Sequence, residues 1–216
     1  MKILVIAAHP DDEVLGVGGT ISKSVKKGDE VYVSIISEGV SAQYEDKERF
    51  LKLRRDACLN SARLLGVKEV FFHDFPDAKL ENIPKPEIIK IIEEDIKKVN
   101  PQRIYTHHGS DLHKDHQIVF ETTLVAARRI PEIFCYEILG TTNKKPNSER
   151  FKPNTYVDIS KEIEKKLRAI GFYETETKEF PCPISLEAIK TLAKYRGVES
   201  RLNAAEAFVC VRRIEK

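Results

Sequence analysis

The chain has 216 residues, of which 41% are hydrophobic, and its 36 basic and 34 acidic side chains nearly cancel. This length suits one domain with a sizeable core, and no linker, repeat or low-complexity tract divides it. We therefore expect a single domain over residues 1–216. The balanced charge argues against a nucleic-acid or membrane-surface partner.

The cysteine pattern and the apolar segments indicate where the protein resides. Cys58, Cys135, Cys182 and Cys210 have no CxxC spacing, which argues against a thiolate metal site and a disulfide framework. The amino-terminal apolar segment is too short for a membrane span and runs directly into polar residues. We expect a soluble, cytoplasmic protein without a membrane span.

Strand and helix signals alternate along the chain. The predicted strands are Lys2–Ala8, Glu30–Ser37, Glu69–Asp74, Arg103–Thr106, Phe134–Leu139, Thr155–Ile159 and Ala207–Ile214. The predicted helices are Val14–Lys27, Asp46–Leu65, Pro86–Val99, Lys114–Arg128, Ser160–Ile170 and Ser185–Arg196. Four strand–helix repeats predict a doubly wound, mostly parallel α/β sheet with helices on both faces.

Side chains that can bind a metal follow two of these strands. The first strand leads into Ala8-His9-Pro10-Asp11-Asp12-Glu13, and His113-Lys114-Asp115-His116 comes after the fourth. Because both strands end at the carboxyl edge of the sheet, we expect the two clusters to meet there. Imidazole and carboxylate groups bind a divalent metal such as zinc, and a spare acid can act as a base. The pattern predicts a metal hydrolase.

Simpler interpretations remain open for several of these residues. Taken alone, the stretch from Pro10 to Asp12 also fits an ordinary turn that caps the next helix. His107 and His108 are not assigned as ligands, and His73 is expected to be structural. The glycines of Gly16-Val17-Gly18-Gly19 allow close approach of a helix to the sheet or of a substrate to the backbone. Packing is favoured, because the full dinucleotide fingerprint is missing.

The two clusters resemble the motifs of the PIG-L/LmbE-type zinc-dependent de-N-acetylases, which carry AHPDDE after the first strand and HxDH or NxDH after the fourth. The segment from Phe151 to Ser160 resembles the FxPNxYVDIS segment of that family. Gly197 with Ala205-Glu206-Ala207-Phe208 resembles its RG…AEAF element. The resemblance implies an LmbE-like, Rossmann-like fold. It also implies removal of an N-acetyl group from an amino sugar or glycoconjugate by zinc-activated water.

The resemblance also implies roles for individual side chains. His9, Asp12 and His116 would bind zinc or another divalent metal, and Asp11 would be the general base. His113 would either stabilise the oxyanion or protonate the leaving amine. Asp115 would orient a histidine through its ring N–H. The sequence does not divide the last two roles between those residues.

The expectations for substrate binding are less specific. Arg54 resembles a family arginine that holds a substrate oxygen, although a solvated basic pair with Arg55 is equally open. Asp77 resembles a turn residue that meets substrate hydroxyls, although a plain turn aspartate is favoured. Cys182 and Ile184 stand where the family's PHPRS segment has histidine and arginine, so any contact made there is lost or replaced. Cys182 itself is expected to be a buried, inert thiol.

Two other functions stay open at this point. The same site would suit an amidase of a thiol conjugate or of another small-molecule conjugate. The chain would otherwise be a non-catalytic sugar-binding or nucleotide-binding module, but Asp11 argues against this because binding alone needs no base. Relatives are often trimers or hexamers, so the resemblance implies a homotrimer or homohexamer.

Overall fold

The computed structural model describes residues 1–40 and 45–215. The strands are β1 (Lys2–Ala7), β2 (Glu30–Ser37), β3 (Glu69–Phe75), β4 (Arg103–Thr106), β5 (Glu132–Tyr136), β6 (Thr155–Asp158) and β7 (Ala205–Arg213). The helices are α1 (Asp12–Lys26), α2 (Lys47–Leu65), α3 (Lys85–Val99), α4 (Lys114–Ala126), α5 (Ile163–Ile170) and α6 (Leu186–Ser200).

The strands form a seven-stranded sheet in the order β3-β2-β1-β4-β5-β7-β6. The pairs from β3 through β5 are parallel, whereas β7 is antiparallel to both β5 and β6. The prediction of a doubly wound, mostly parallel sheet is therefore confirmed. Strands β2 and β3 follow β1 on one side of it, and β4 then pairs with β1 on the opposite side. This reversal of strand order creates a crevice at the carboxyl ends of β1 and β4, where α/β proteins place their sites.

The core lies on both faces of the sheet. In β1, Ile3, Val5 and Ala7 belong to one apolar cluster, while Leu4 and Ile6 belong to the cluster on the other face. Because strand side chains alternate between faces, a continuous apolar run is what a strand covered on both sides requires.

Local signals set several helix ends as the sequence predicts. The Asp46 side chain accepts a hydrogen bond from the backbone N–H of Arg49 at the start of α2. Gly66, with φ of 92°, ends the same helix in a left-handed conformation that costs glycine little. Asn100 ends α3 in the left-handed region with φ of 52°.

Three predicted elements have a boundary that is wrong by three or four residues. The helix predicted to end at Arg196 continues to Ser200. The strand predicted at Phe134–Leu139 starts at Glu132 and ends at Tyr136, because the chain turns away at Gly140, whose φ is 99°. The helix predicted from Ser160 begins at Ile163. The Ser160 hydroxyl donates to Asp158 Oδ1 at 2.5 Å and therefore does not cap the helix.

The glycines of α1 serve packing. A Cβ on Gly16 would overlap the ring of Tyr136, and one on Gly19 would lie 2.7 Å from Ile159 Cγ2. The helix thus lies directly against β5 and the segment after β6. The packing interpretation of this glycine run is confirmed.

A buried ion pair fastens the carboxyl-terminal strands to α1. Glu206 of β7 accepts hydrogen bonds from the backbone N–H groups of Gly19 and Thr20 at 2.8 and 2.7 Å. Its Oε1 also accepts from Lys166 Nζ at 2.7 Å, and Lys166 donates to the carbonyl of Leu15. The AEAF element is therefore a structural joint between β7, α5 and α1.

Within residues 1–40 and 45–215, no helix is long and apolar enough to cross a membrane. The four cysteines are free, as their spacing predicts. Cys182 is partly exposed, so the expectation that it is buried is wrong, because the segment that carries it lies at the surface after α5.

Candidate metal centre

Three side chains, from the turn after β1, from α1 and from α4, form a small triangle of ligand atoms at the switch point. His9 Nδ1 lies 3.3 Å from Asp12 Oδ2 and 3.3 Å from His116 Nε2. His116 Nε2 lies 3.4 Å from the same Asp12 oxygen. All three residues are nearly inaccessible to solvent. The structure thus brings together the three predicted ligands, across 107 residues of chain.

The spacing of these atoms fits a tetrahedral cation. Ligands about 2.0–2.1 Å from a zinc ion at tetrahedral angles are separated by roughly 3.3–3.4 Å. Two imidazole nitrogens and a carboxylate are donors that zinc accepts, and three protein ligands leave a position for water or substrate. The residues present therefore fit the metal that the resemblance implies.

The charge of the surroundings also suits a cation. The buried carboxylates in and beside the triangle are those of Asp11, Asp12, Glu13, Asp77, Asp111 and Asp115. Among the described residues, the permanent cation in ion-pair contact with this group is Arg54. The buried carboxylates thus outnumber the buried cations. Such an excess of negative charge is costly unless a bound cation or protons offset it. Burial raises the pKa of Asp12, but His116 and His107 outweigh it and hold that pKa well below its ordinary value.

Two carboxylates orient His9 from behind. Its Nε2 lies 3.1 Å from Asp115 Oδ2 and 3.2 Å from Asp77 Oδ1. Burial lowers the pKa of His9, but hydrogen bonds with Asp115, Asp12 and Asp77 outweigh that effect and raise it well above the ordinary value. With the Nε2 proton held by Asp115 and Asp77, Nδ1 is free to coordinate a metal.

Asp115 also fixes the loop that carries Asp77. Its carboxylate accepts hydrogen bonds from the backbone N–H groups of Ala78 at 2.8 Å and Leu80 at 3.1 Å. This links α4 to the loop after β3 and places the Asp77 carboxylate against His9. Asp77 is therefore a buried part of the site and not a plain turn aspartate.

His116 has its own carboxylate partner, which the sequence does not predict. Its Nδ1 lies 3.2 Å from Asp111 Oδ1. The other oxygen of Asp111 accepts hydrogen bonds from the hydroxyls of Thr141 and Thr142, each at 2.9 Å. Burial lowers the pKa of His116, but Asp12 and Asp111 outweigh it and raise the pKa to about 9.

Asp11 is held in an unusual backbone conformation beside the triangle. Its φ is 133°, which a non-glycine residue adopts only when the surroundings impose it. Its Oδ2 accepts from Arg54 Nη2 at 3.1 Å, and that guanidinium also lies 3.4 Å from Glu176. Burial raises the pKa of Asp11, and the charge of Arg54 offsets part of this rise.

Arg54 stabilises the turn that carries Asp11. It donates to the carbonyls of Pro10 and Gly39 in addition to its contact with Asp11. It is 5% exposed, which excludes the interpretation as a solvated basic pair with Arg55. A direct role in substrate binding stays a prediction.

Glu13, the last residue of the first motif, connects Asp11 to the carboxyl-terminal half. Its Oε2 accepts from the backbone N–H of Asp11 at 2.9 Å, and its Oε1 accepts from the Tyr173 hydroxyl at 2.5 Å. Burial raises the pKa of Glu13 to about 7, although the hydrogen bond with Tyr173 opposes the rise. Glu13 thus stabilises the strained backbone that carries Asp11.

His113 stands at the start of α4 next to the triangle. Its ring centroid lies 4.8 Å from that of His9 and 4.7 Å from that of His116. Its Nδ1 accepts from the backbone N–H of Asp115 at 3.2 Å, so the neutral ring carries its proton on Nε2. Burial, together with His9 and His116, lowers the pKa of His113 and favours this neutral form.

Of the two histidines left unassigned, His107 belongs to the surroundings of the site. Its Nε2 accepts from the backbone N–H of Ala8 at 3.0 Å and lies 3.3 Å from Asp12 Oδ2. His108 instead contacts Ser110 at 2.8 Å. The His107 hydrogen bond thus lies just after the end of β4. His73, in β3, contacts Asp95 on α3.

A doubly wound sheet with a His/Asp triangle at its switch point defines an α/β protein with a candidate metal centre. The model of the family described as PIG-L, GlcNAc-PI de-N-acetylase, matches residues 4–127, which is more than half of the chain. The chain belongs to this family.

Similar proteins extend the likeness beyond that segment. The diacetylchitobiose deacetylase of Thermococcus kodakarensis is 29% identical over 219 residues, covering 95% of this chain and 81% of the relative. The solved structure of the N,N'-diacetylchitobiose deacetylase from Pyrococcus horikoshii is 26% identical. It has a TM-score of 0.80 and covers 97% of this chain and 83% of that one.

The fold alone does not determine the reaction. The structure of GalB, the 4-carboxy-2-hydroxymuconate hydratase from Pseudomonas putida, has a TM-score of 0.83 at 21% identity. It covers 100% of this chain and 98% of that one. At this identity the likeness shows the fold only, so the activity must be argued from the site.

Proposed function

We propose that the protein is a metal-dependent hydrolase that removes an N-acetyl group from an amino sugar or a glycoconjugate. The observation that carries the proposal is the triangle of His9, Asp12 and His116, with ligand atoms 3.3–3.4 Å apart, beside the strained and buried Asp11. Metal binding alone would not require a second carboxylate held next to the ligands. The deacetylases among the similar proteins support the N-acetyl amide as the bond attacked.

Zinc is the metal we propose for His9, Asp12 and His116, and when bound it would supply a Lewis acid and lower the pKa of a bound water toward ~7. Asp11 accepts the proton of the attacking water, since its raised pKa makes it a competent base. Arg54 and Glu13 keep its carboxylate and backbone in place during this step. The protonated Asp11 can then return the proton to the leaving amine.

His113 acts on the developing negative charge of the acetyl oxygen. Its Nε2–H is free for donation because Nδ1 already accepts from the backbone of Asp115. A positioned donor of this kind stabilises the tetrahedral transition state more than the substrate. Protonation of the amine by His113 remains the alternative role. Asp115 orients His9, which is the role the motif implies for it.

Acetate release tests the proposal. The purified protein is loaded with zinc and incubated with N-acetylglucosamine, its glycosides, nucleotide sugars and small N-acyl amides. We expect acetate from the sugar substrates, loss of this activity with a chelator, and recovery when zinc is restored. Activity that survives complete metal removal would contradict the metal-dependent mechanism.

The same panel separates the remaining alternatives. An amidase of thiol conjugates or of other small conjugates would release a larger acyl group faster than acetate. A non-catalytic module would bind a sugar without releasing any acid. Cytoplasmic location and assembly into a homotrimer or homohexamer stay predictions, and light scattering on the purified protein measures the assembly.

A further inference from the structure

Asp111 is a buried carboxylate that the proposed mechanism does not use. It lies in the loop between β4 and α4, two residues before His113. Its side chain is completely inaccessible to solvent. A carboxylate buried to this extent is costly unless its oxygens are paired, so its partners indicate what it contributes to the site.

One oxygen of Asp111 faces two histidines. Its Oδ1 accepts a hydrogen bond from the backbone N–H of His113 at 2.9 Å and lies 3.2 Å from His116 Nδ1. His116 presents its other nitrogen, Nε2, to the ligand triangle. A neutral imidazole that binds a metal through Nε2 carries its proton on Nδ1, which here faces Asp111. The same oxygen therefore contacts a predicted metal ligand and the backbone of the proposed oxyanion donor.

The other oxygen of Asp111 is held by the loop after β5. Its Oδ2 accepts hydrogen bonds from the hydroxyls of Thr141 and Thr142, each at 2.9 Å. A backbone hydrogen bond joins the same two loops, since the N–H of Leu112 donates to the carbonyl of Thr141 at 3.0 Å. The carboxylate cannot turn away from the histidines without breaking the bonds to both threonines.

Asp111 also fixes the start of α4. His113 is the N-cap of this helix, and its Nδ1 accepts from the backbone N–H of Asp115 at 3.2 Å, which sets the direction of its ring. Asp111 in turn holds the backbone N–H of His113. His116 lies three residues further along and on the same face of the helix. A shift of the helix start would therefore move the ligand and the donor together.

We propose that Asp111 is a positioning residue that fixes the metal ligand His116 and the oxyanion donor His113 relative to each other. Its Oδ1 holds the Nδ1 proton of His116, which leaves Nε2 to bind the metal, and it anchors the helix start that directs His113. The donor role of His113 rests on the proposed function. The positioning of His116 requires only that the triangle binds a metal.

Metal affinity and metal geometry test the His116 part without any substrate. Competition with a chelator measures the Kd for zinc, and the visible absorption of the cobalt-loaded protein reports the coordination geometry. We expect the Kd to rise about 10–100-fold in Asp111→Ala, with a changed cobalt spectrum, because His116 loses the partner behind its ring. Asp111→Asn keeps an acceptor oxygen but loses the charge, so its Kd should rise by a smaller factor.

Asp95→Asn is the matched control. Asp95 is also buried, and its Oδ2 accepts from the hydroxyl of Ser34 at 2.6 Å and contacts His73 Nε2 at 2.7 Å. These partners lie on β2 and β3, and neither is a predicted ligand. Asp95→Asn should keep the wild-type Kd and cobalt spectrum even if its Tm falls.

Two results would overturn the positioning of His116. One is a folded Asp111→Ala with the wild-type Kd and cobalt spectrum, and the other is an equal rise in Kd in Asp95→Asn. If Asp111→Ala does not fold, Asp111→Asn decides the question. A Kd equal to that of the wild type in this variant would likewise overturn the inference, and a higher Kd would support it.

Kinetics at saturating zinc test the His113 part. We expect kcat to fall about tenfold in Asp111→Ala with KM little changed, because the donor is no longer held in place. In a protein that already carries His113→Asn, the same change should lower kcat by a smaller factor, since the donor that Asp111 positions is then absent. Equal factors in the two backgrounds would contradict an action of Asp111 through His113.

Failure of the proposed function gives a different result. The wild type would then bind zinc but release no acetate from any compound, while the Kd still rose in Asp111→Ala and not in Asp95→Asn. In that case the deacetylase proposal fails and the positioning of His116 stands. A wild type that binds no zinc would overturn the inference, whatever acetate it releases.

Discussion

At the scale of single residues, the candidate site depends on charges that hold one another in place. Asp11 has a positive φ, which is unfavourable for a residue with a side chain. Two contacts compensate: Glu13 accepts from the Asp11 backbone N–H, and Arg54 donates to the Asp11 carboxylate. His9 and His116 each have a carboxylate behind the ring nitrogen that faces away from the triangle. Such contacts fix tautomers and geometry before any substrate arrives.

Glu13 is a positioning residue, because it acts through Asp11. In Glu13→Gln the side chain keeps one acceptor oxygen, so either Asp11 N–H or the Tyr173 hydroxyl loses its partner. We expect kcat to fall about tenfold, the equivalent of one charge-assisted hydrogen bond, with KM little changed. Steady-state kinetics with acetate detection measures this. Tyr173→Phe should shift kcat in the same direction. A rise in KM at constant kcat would instead indicate a role in substrate binding.

His113→Asn tests the proposed oxyanion donor. Asparagine can still cap α4 as His113 does, but it lacks the imidazole Nε2–H. We expect kcat to fall about 10²-fold while bound zinc, measured by elemental analysis, stays at the wild-type level. Loss of the metal in this variant would assign His113 to coordination instead.

At the scale of elements, buried contacts attach the last third of the chain to the half that carries the metal site. Glu206 of β7 and Lys166 of α5 join at α1, whose first residue, Asp12, is a predicted ligand. The glycines of α1 permit this by letting Tyr136 and Ile159 approach the helix closely. Packing of β7 and α5 thus controls where α1 presents Asp12.

Breaking this joint should destabilise the fold strongly. Glu206→Gln leaves the charge of Lys166 buried without its counter-ion, and removing one partner of a buried pair costs about 3–5 kcal/mol. Urea unfolding measures the change in the free energy of unfolding. Glu164→Gln, which breaks the exposed pair with Lys190, should cost less than about 1 kcal/mol. If both variants lose a similar free energy of unfolding, the buried pair stabilises the fold no more than an exposed pair does.

At the scale of the whole molecule, the sheet and its helices followed from the sequence because apolar runs and helical periodicity are local signals. The order β3-β2-β1-β4 is the usual one in doubly wound α/β sheets. The antiparallel place of β7 between β5 and β6 is not local, because it depends on which sheet edge remains open once the parallel strands are packed. That residues 1–216 form a single domain stays a prediction.

The candidate site also has a part that local sequence signals predict and a part that they do not. The predicted ligands lie together because the two short motifs directly follow neighbouring strands. Motifs and strands are both visible in the sequence, so this part of the site could be predicted. Asp111 was missed, although it lies two residues before His113, because its contact with His116 depends on the loop around Thr141. Glu176 contacts Arg54, and Tyr173 donates to Glu13, each from more than 100 residues away, and no spacing rule relates these pairs.

Metal binding should stabilise the whole fold. The triangle and its buried carboxylates exist only in the folded protein, so zinc at 100 times its Kd should add about 2.7 kcal/mol to the free energy of unfolding. Calorimetry should show a rise in Tm with zinc for the wild type and none for His116→Ala. A variant that still responds as the wild type does would place the metal elsewhere.

In the proposed mechanism Asp11 takes a proton from water beside a metal held by His9, Asp12 and His116. The most direct measurement compares the rate of acetate release by zinc-loaded wild type and Asp11→Asn, with bound zinc quantified in the same samples. Asp56→Asn on the exposed face of α2 is the control for the loss of one carboxylate. We expect equal zinc content in all three proteins and a rate that is about 10²–10⁴-fold lower in Asp11→Asn alone. Turnover by Asp11→Asn at the wild-type rate would contradict the role of Asp11 as general base.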